Sequence, residues 1–181
     1  MAKPRSHEQQ DGARVWASDR LQPTLLDRIT DHNPQRSKDT AAELAISRKQ
    51  LRQIILRDLS WLLNATNSES EIDFDFNADA KRSAINFGLP AFSGRRSSDI
   101  KVGELENDIK QAILAFEPRV LSETLQVSGV VTADVLSAHN LIEFEIRGQI
   151  WGTPYPIEML LKSNIDLETG AVTLVDQLRD N

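Results

Sequence analysis

Cysteine is absent from this chain of 181 residues. Its absence excludes disulfide bonds, thiolate nucleophiles and thiolate metal sites, and it gives no sign of an oxidising compartment, so we expect a cytoplasmic protein. Histidine is scarce, and His7, His32 and His139 lack the spacing that would bring them together on one helix. The sequence therefore predicts no metal site.

Long apolar runs are also missing. No uninterrupted apolar stretch is long enough to span a bilayer, and the first 20 residues lack the apolar core of a secretory signal. We therefore expect no direct membrane insertion and no export by that route. An excess of basic residues is missing too, since 27 acidic residues outnumber 21 basic ones and give a net charge of -6. This balance argues against nucleic acid as the main partner.

The well-defined catalytic motifs do not occur. The chain has no glycine-rich phosphate loop, no G-x-S-x-G turn and no H-E-x-x-H helix, and we expect no cofactor. The enzymatic option that remains is a carboxylate pair for glycan hydrolysis, with Glu104, Asp108 and Glu117 as candidates. Glu104 and Asp108 fall on the polar face of one helix, and Arg119 favours the ionised form of Glu117. None of the three suits a general acid, so we predict no catalytic residue.

The length and the 40% of hydrophobic residues are enough for one domain with an ordinary core. Residues 1–46 are polar and interrupted by prolines, which is typical of an extended arm in front of a folded domain of residues 47–181. Within the arm, residues 21–30 form a short amphipathic segment. Its apolar stripe consists of Leu21, Leu25, Leu26 and Ile29. Either the stripe packs on its own domain or it binds another subunit, for which Leu25 and Leu26 are the candidate residues.

Three helices are predicted in the first part of the domain. Ser47 and Gln50 make a capping-box pattern at the start of a helix of about four turns. Its apolar side consists of Leu51, Ile54, Ile55, Leu59, Leu62 and Leu63. Asp58 interrupts that side, and we expect it to pair with a neighbouring arginine, with a functional acid as the alternative. A second helix is predicted over residues 80–87, where a glycine follows, and a third over residues 103–116.

Beyond residue 120 the hydrophobic period changes from helical to two. This alternation predicts strands over residues 121–131, 142–150 and 157–167, and a Thr-Gly turn leads into a last strand over residues 171–175. Helices that come first and strands that come last indicate an α+β fold. We therefore expect N-terminal helices packed on a C-terminal antiparallel β-meander, preceded by the extended arm.

One tripeptide joins the third helix to the strands. The run IKQAILAFEPRV, residues 109–120, is an amphipathic helix stopped by Pro118. Because proline fixes its own φ and keeps the preceding residue out of the helical region, Glu117 and Arg119 are held rigidly at a corner. Two interpretations are open: an internal ion pair that ties the helix end to the sheet, or an exposed charge pair that binds a partner.

Several stretches together resemble a known family. LLDRIT in the arm, LRDLSWLLNA on the first helix, INFGLPAFSG after the second and IKQAILAFEPRV at the corner are similar to TssE, the type VI secretion baseplate subunit. TssE belongs to the phage baseplate-wedge family that was once labelled lysozyme-like. The resemblance extends from residue 21 to the last strand, and its most specific part is the Glu-Pro-Arg corner.

This resemblance implies a structural role in a contractile, phage-tail-like machine. The protein would join wedge subunits of the TssF, TssG and TssK type and would start polymerisation of a sheath of TssB-type and TssC-type subunits. Glu117, Pro118 and Arg119 would contact the helical core bundle of the wedge. An exposed sheet edge among residues 140–175 would exchange strands with the first sheath ring. Two alternatives stay open, a peptidoglycan glycan hydrolase and a free-standing adaptor that binds some other protein.

Overall fold

The computed structural model describes residues 21, 23–30, 34–35, 45–91, 101–130 and 141–178. The first 20 residues and all three histidines lie outside these ranges, together with the predictions made for them. The described part begins in the arm, where residues Leu25–Ile29 form the short helix α1. Thr24 caps this helix, because its hydroxyl oxygen accepts a hydrogen bond from the backbone N–H of Asp27.

Helix α2 comprises Arg48–Asn64 and confirms the first predicted helix of the domain. The capping box is present, since the Ser47 hydroxyl accepts from the Gln50 N–H and the Gln50 side chain accepts from the Ser47 N–H at 2.8 Å. The buried side of α2 consists of Leu51, Ile55, Leu59, Leu62 and Leu63. The local sequence thus determines both the start of this helix and the face that it buries.

The predicted helix over residues 80–87 is wrong in its extent. The chain instead forms α3, Ala78–Lys81, and then a separate 3₁₀ turn, Ala84–Asn86. Ser83 divides them, because its hydroxyl donates to the Ala80 carbonyl at 2.8 Å and accepts from the Ile85 N–H. Such side-chain bonds to the backbone compete with a continuous helix. The glycine that follows, Gly88, has a φ of 123°.

Helix α4 comprises Val102–Phe116 and confirms the third predicted helix. It buries Leu105, Ile109, Ala112 and Ile113. Together with α2 it covers one face of the sheet that follows, so the core lies between two helices and the strands. Among the described residues no helix has the length and apolar character needed to cross a membrane.

Within the described ranges the sheet contains four antiparallel strands in the order β1-β2-β3-β4. They are β1, Gln126–Val130; β2, Leu141–Ile150; β3, Ile157–Asp166; and β4, Val172–Asp176. The predicted α+β meander is therefore confirmed. Alternate residues of the two long central strands enter the core, and the register pairs Ile146 with Leu161 and Ile142 with Ile165.

The first strand begins five residues later than the period-two pattern predicted. Ser122–Thr124 form a 3₁₀ turn instead, and residue 131 lies outside the described ranges. The Thr124 hydroxyl donates to the Leu121 carbonyl at 2.8 Å and accepts from the Gln149 N–H at 2.9 Å. This side chain takes the place that a backbone ladder would occupy, so regular pairing with β2 starts only at Gln126.

Candidate functional site

The Glu-Pro-Arg corner connects the end of α4 to the end of β2. The Glu117 N–H donates to the Ile113 carbonyl at 2.8 Å and closes the last helical turn. Beyond Pro118, Val120 forms an isolated antiparallel bridge with Ile150. The Trp151 N–H donates to the Arg119 carbonyl at 2.7 Å beside this bridge. Backbone hydrogen bonds therefore hold the corner both before and after Pro118, in addition to the fixed φ of the proline itself.

Glu117 points into the protein and does not project from the corner. Only 4% of its surface is exposed. One carboxylate oxygen accepts from Arg119 Nε at 2.6 Å and from the Arg119 backbone N–H at 3.2 Å, while the other accepts from Arg119 Nη2. Charge-assisted, two-pronged contacts of this kind are the strong ones. The geometry is that of the internal ion pair, the first of the two interpretations.

The Arg119 guanidinium also binds a second carboxylate, which belongs to Asp58 of α2. Arg119 Nη2 donates to Asp58 Oδ2 at 2.6 Å, and the other oxygen of Asp58 accepts from Arg57 at 2.8 Å. The prediction that Asp58 pairs with a neighbouring arginine is confirmed. Two arginines share this carboxylate, which explains how a charged residue is tolerated on the apolar side of a helix.

The pairing continues from α2 to the arm. Arg57 Nη1 donates to Asp27 Oδ1 at 2.6 Å and thereby joins α1 to α2. Five residues alternate in charge along this path, and we call them the ion-pair chain: Glu117, Arg119, Asp58, Arg57 and Asp27. Three acids and two bases leave it with one net negative charge. The ion-pair chain links the end of α4, the middle of α2 and the arm.

The pKa values along the ion-pair chain follow from these contacts. The hydrogen bond from Arg57 lowers the pKa of Asp27 to about 2, against the opposing effect of burial. Burial disfavours the charged form of Arg119, but its bonds to Glu117 and Asp58 outweigh that effect and raise its pKa. Arg119 Nη1 is buried and has no hydrogen-bond partner within the described part of the chain. The guanidinium of Arg119 therefore binds its internal partners through Nε and Nη2.

The apolar stripe of the arm is divided between two environments. Leu21 is buried in the core, and its carbonyl accepts from the Ile46 N–H at 3.1 Å. Leu25, by contrast, is 74% exposed, Leu26 is 44% exposed and Ile29 is 71% exposed. One end of the stripe therefore packs on its own domain, while the two candidate partner-binding leucines lie on the surface.

Sequence reasoning missed three residues at this site. Asp27 and Arg57 connect the arm to the corner, and Arg57 also stacks on Trp61, with its guanidinium carbon 4.8 Å from the ring centroid. Arg57 falls on the side of α2 opposite the core, and its charge alone indicates only a solvated surface. The available signal was the spacing of Arg57 and Trp61, which are four residues apart and hence neighbours on a helix.

The three carboxylates considered for glycan hydrolysis have separate environments. Glu104 is exposed and pairs with Lys101 at 2.8 Å. Asp108 lines an open cleft of about 420 Å³ between α4 and residues 67–90. Glu117 is buried and accepts three hydrogen bonds from Arg119. Within the described ranges no group of three or more acidic, histidine or cysteine side chains is placed to hold a metal.

One edge of the sheet lies at the end of the expected range. The predicted edge lay among residues 140–175, but β2 and β3 are central strands that pair on both sides. Among the described residues of that range only β4 is an edge strand, and the opposite edge is β1, Gln126–Val130. The central position of β2 and β3 follows from the meander order, in which the first and last strands have one neighbour each.

Comparison with known proteins identifies the family. The model of the family described as baseplate wedge protein gp25 matches residues 49–155, more than half of the chain. Searches of curated proteins and of solved structures gave no match. The family match includes α2, α4, the Glu-Pro-Arg corner and β2. It agrees with the resemblance drawn from the sequence and supports a structural role in the baseplate of a contractile tail. The chain belongs to the family of baseplate wedge protein gp25.

Proposed function

We propose that this protein is a structural subunit of a type VI secretion baseplate. In this role it joins wedge subunits of the TssF, TssG and TssK type and starts the sheath of TssB-type and TssC-type subunits, in the cytoplasm and without catalysis. The observation that carries the proposal is the Glu-Pro-Arg corner, whose backbone and charges are fixed by internal contacts. A surface that does not rearrange loses little conformational entropy when it binds.

The three residues of the corner have different parts in this proposal. Glu117 is buried and holds Arg119 in place, so it acts by positioning its neighbour. Pro118 is exposed, and the Arg119 side chain keeps 25% of its surface exposed. Pro118 and the outer part of Arg119 therefore supply the direct contact with the wedge. Fully exposed charges are not required, because binding energy at interfaces is concentrated in a few well-positioned groups.

The arm supplies a second contact in this proposal. Leu25 and Leu26 are exposed on α1, and the pair of Asp27 with Arg57 holds α1 against α2. Apolar side chains fixed on a surface are suited to a protein interface. In this account residues 1–46 remain the arm and residues 47–181 the wedge-like domain, with Leu21 packed into the core of that domain.

The sheet contributes the contact with the sheath. Within residues 140–175 the edge strand is β4, and it is the strand that would pair with an extended segment of a sheath subunit. Backbone hydrogen bonds supply the affinity in such strand addition, and alternate side chains fix the register.

Co-purification with wedge subunits tests the corner. The wild type, Arg119→Ala and Asp58→Ala are each co-expressed with subunits of the TssF and TssG type and purified at a temperature well below every melting point. Both substitutions weaken the same ion-pair chain, but only Arg119→Ala removes the proposed contact. We expect Asp58→Ala to keep the complex and Arg119→Ala to lose it. Equal retention by both variants would limit the corner to a role within the fold.

A further inference from the structure

Asn64, the last residue of α2, binds the edge of the sheet. Its Oδ1 accepts from the Val172 N–H at 2.9 Å, and its Nδ2 donates to the Val172 carbonyl at 2.8 Å. A neighbouring antiparallel strand would make the same pair of bonds to this residue. Nδ2 also donates to the Ser60 carbonyl at 2.8 Å, so the helix orients the amide. One side chain thus takes the place of an added strand.

The register shows which backbone groups of β4 face outward. The Asp166 N–H donates to the Ala171 carbonyl and the Gln177 N–H donates to the Leu160 carbonyl, both at 2.9 Å. Residues with odd numbers on this strand therefore bond to β3, while Val172, Leu174 and Asp176 face away from it. Val172 is the outward position that Asn64 occupies.

Among the residues that the structure describes, the surroundings of Val172 leave room for another chain. An open cleft of about 270 Å³ lies beside the start of β4. It is lined by Asn64 at the end of α2, by Thr66 just beyond that helix, and by the turn Thr169, Gly170 and Ala171. The cleft has space for a side chain of a strand that pairs with Val172.

The opposite edge is covered by helix α4. Glu106 Oε1 accepts from the Gly129 N–H at 2.7 Å on β1. Helix α4 also approaches closely there, because a Cβ atom at Gly129 would come within 2.3 Å of Val102 Cγ1. A strand added at β1 would have to displace part of a helix, whereas a strand added at Val172 has to displace the Asn64 amide. At the far end of β4, Arg52 of α2 binds Asp176 and the Leu178 carbonyl, so an added strand pairs at Val172 and Leu174.

We propose that Asn64 is an edge cap, which blocks β4 in the free subunit and is displaced when an extended segment of another subunit pairs with β4. This inference rests on the proposed strand addition and names the residue that controls it. The segment that binds there is extended, because the groups that Asn64 covers are the backbone N–H and C=O of Val172. Exposed edges promote unwanted pairing between copies of a protein, and the edge cap protects against it.

The edge cap is tested with Asn64→Ala and, as the matched control at the other edge, Glu106→Ala. In the free protein we expect Asn64→Ala to raise the exchange rate of the Val172 amide hydrogen about fivefold or more. Glu106→Ala should leave that rate unchanged. Because Asn64 is exposed, its loss should lower the melting temperature by no more than about 4 °C. An unchanged Val172 exchange rate in a folded Asn64→Ala protein would overturn the edge cap.

Binding to sheath subunits separates the edge cap from the function on which it rests. A co-purified pair of TssB-type and TssC-type subunits should bind Asn64→Ala about fivefold more tightly than the wild type, with Glu106→Ala equal to the wild type. Binding that is equal for all three proteins would overturn the edge cap and leave the sheath contact intact. If none binds the sheath pair, but Asn64→Ala alone self-associates in sedimentation velocity, the edge cap stands and the sheath contact is wrong.

Discussion

Glu117 places a negative charge where water has almost no access, and Arg119 compensates it through two side-chain hydrogen bonds and one backbone bond. Asp58 then shares the same guanidinium. The corner is therefore held in place by the ion pairs that Arg119 makes with Glu117 and Asp58. A buried carboxylate whose partner is removed carries a large cost in free energy.

Arg119→Ala should destabilise the isolated protein. It leaves Glu117 buried without its counter-charge, so we expect the free energy of unfolding to fall by about 3 kcal/mol. That is the lower end for buried pairs, since the Arg119 side chain is a quarter exposed. The melting temperature should fall by roughly 6 to 12 °C. Calorimetry on the purified variant measures both, and a change below about 0.5 kcal/mol would contradict the internal pair.

Asp27→Asn should alter how stability depends on pH. The pKa of Asp27 in the folded protein is about 2, below the ordinary 3.8, so its pair with Arg57 stabilises the fold above pH 4. That contribution is lost as the pH falls from about 4 to about 2, where Asp27 takes up a proton. We expect the wild type to exceed the variant by about 1 kcal/mol at pH 6 and by almost nothing at pH 2. Urea unfolding at both values gives the comparison, and a difference that did not change with pH would refute the pairing.

The limits of sequence reasoning are clear at this scale. Glu117 and Arg119 could be singled out because proline fixes the corner between them, and Asp58 because a charge on an apolar face needs a partner. Asp27 and Arg57 could not be joined in advance, since they lie 30 positions apart and only tertiary packing brings them together. The contact between Arg119 and Asp58 of α2 likewise joins residues 61 positions apart, so the tripeptide alone did not reveal it.

The short helix α1 is exposed, although a residue just in front of it is buried. Leu21 in front of it belongs to the core, whereas Leu25 is three-quarters exposed on the helix itself. The ion pair between Asp27 and Arg57 fixes α1 although none of its own residues is buried. Substitutions of a buried and an exposed leucine can therefore test separately whether the arm contributes to stability or to binding.

Leu25→Asp and Leu21→Ala should separate binding from stability. Leu25→Asp changes an exposed side chain, so we expect less than about 0.5 kcal/mol of change in the free energy of unfolding and a loss of wedge-subunit capture. Leu21→Ala removes core packing and should lower the free energy of unfolding by about 2 to 3 kcal/mol while capture persists at low temperature. Pull-down and thermal melting of both variants give the readout. Capture that survives Leu25→Asp would exclude the exposed stripe as a contact.

Element prediction succeeded where the signal was local and strong. The capping box of Ser47 and Gln50 and the apolar side of α2 lie within one stretch of chain, and both were predictable. The helix over residues 80–87 failed because Ser83 bonds to the backbone and divides it. The edge cap could not be foreseen, since Asn64 and Val172 are 108 positions apart and no periodic pattern links them.

Over the whole molecule, the family match includes only the first two strands of the sheet. The match ends at residue 155, before β3 and β4, although the sheet continues through Asp176. The matched part contains the corner and both long helices, while the proposed sheath contact lies beyond it. The order of helices and strands was predictable because each element has its own hydrophobic period. That period does not specify which proteins bind to the surface of the folded domain.

Site-specific cross-linking tests most directly whether the Glu-Pro-Arg corner touches a wedge subunit in the assembled baseplate. A photoreactive amino acid at Ala115, which is exposed two residues before Glu117, places a probe beside the corner without altering it. Gln53, exposed on α2, is the control position. After irradiation of assembled complexes, we expect a cross-link to a TssF-type or TssG-type subunit from position 115 and none from position 53. Absence of any wedge cross-link from position 115, in complexes that contain the protein, would contradict a contact between the corner and the wedge.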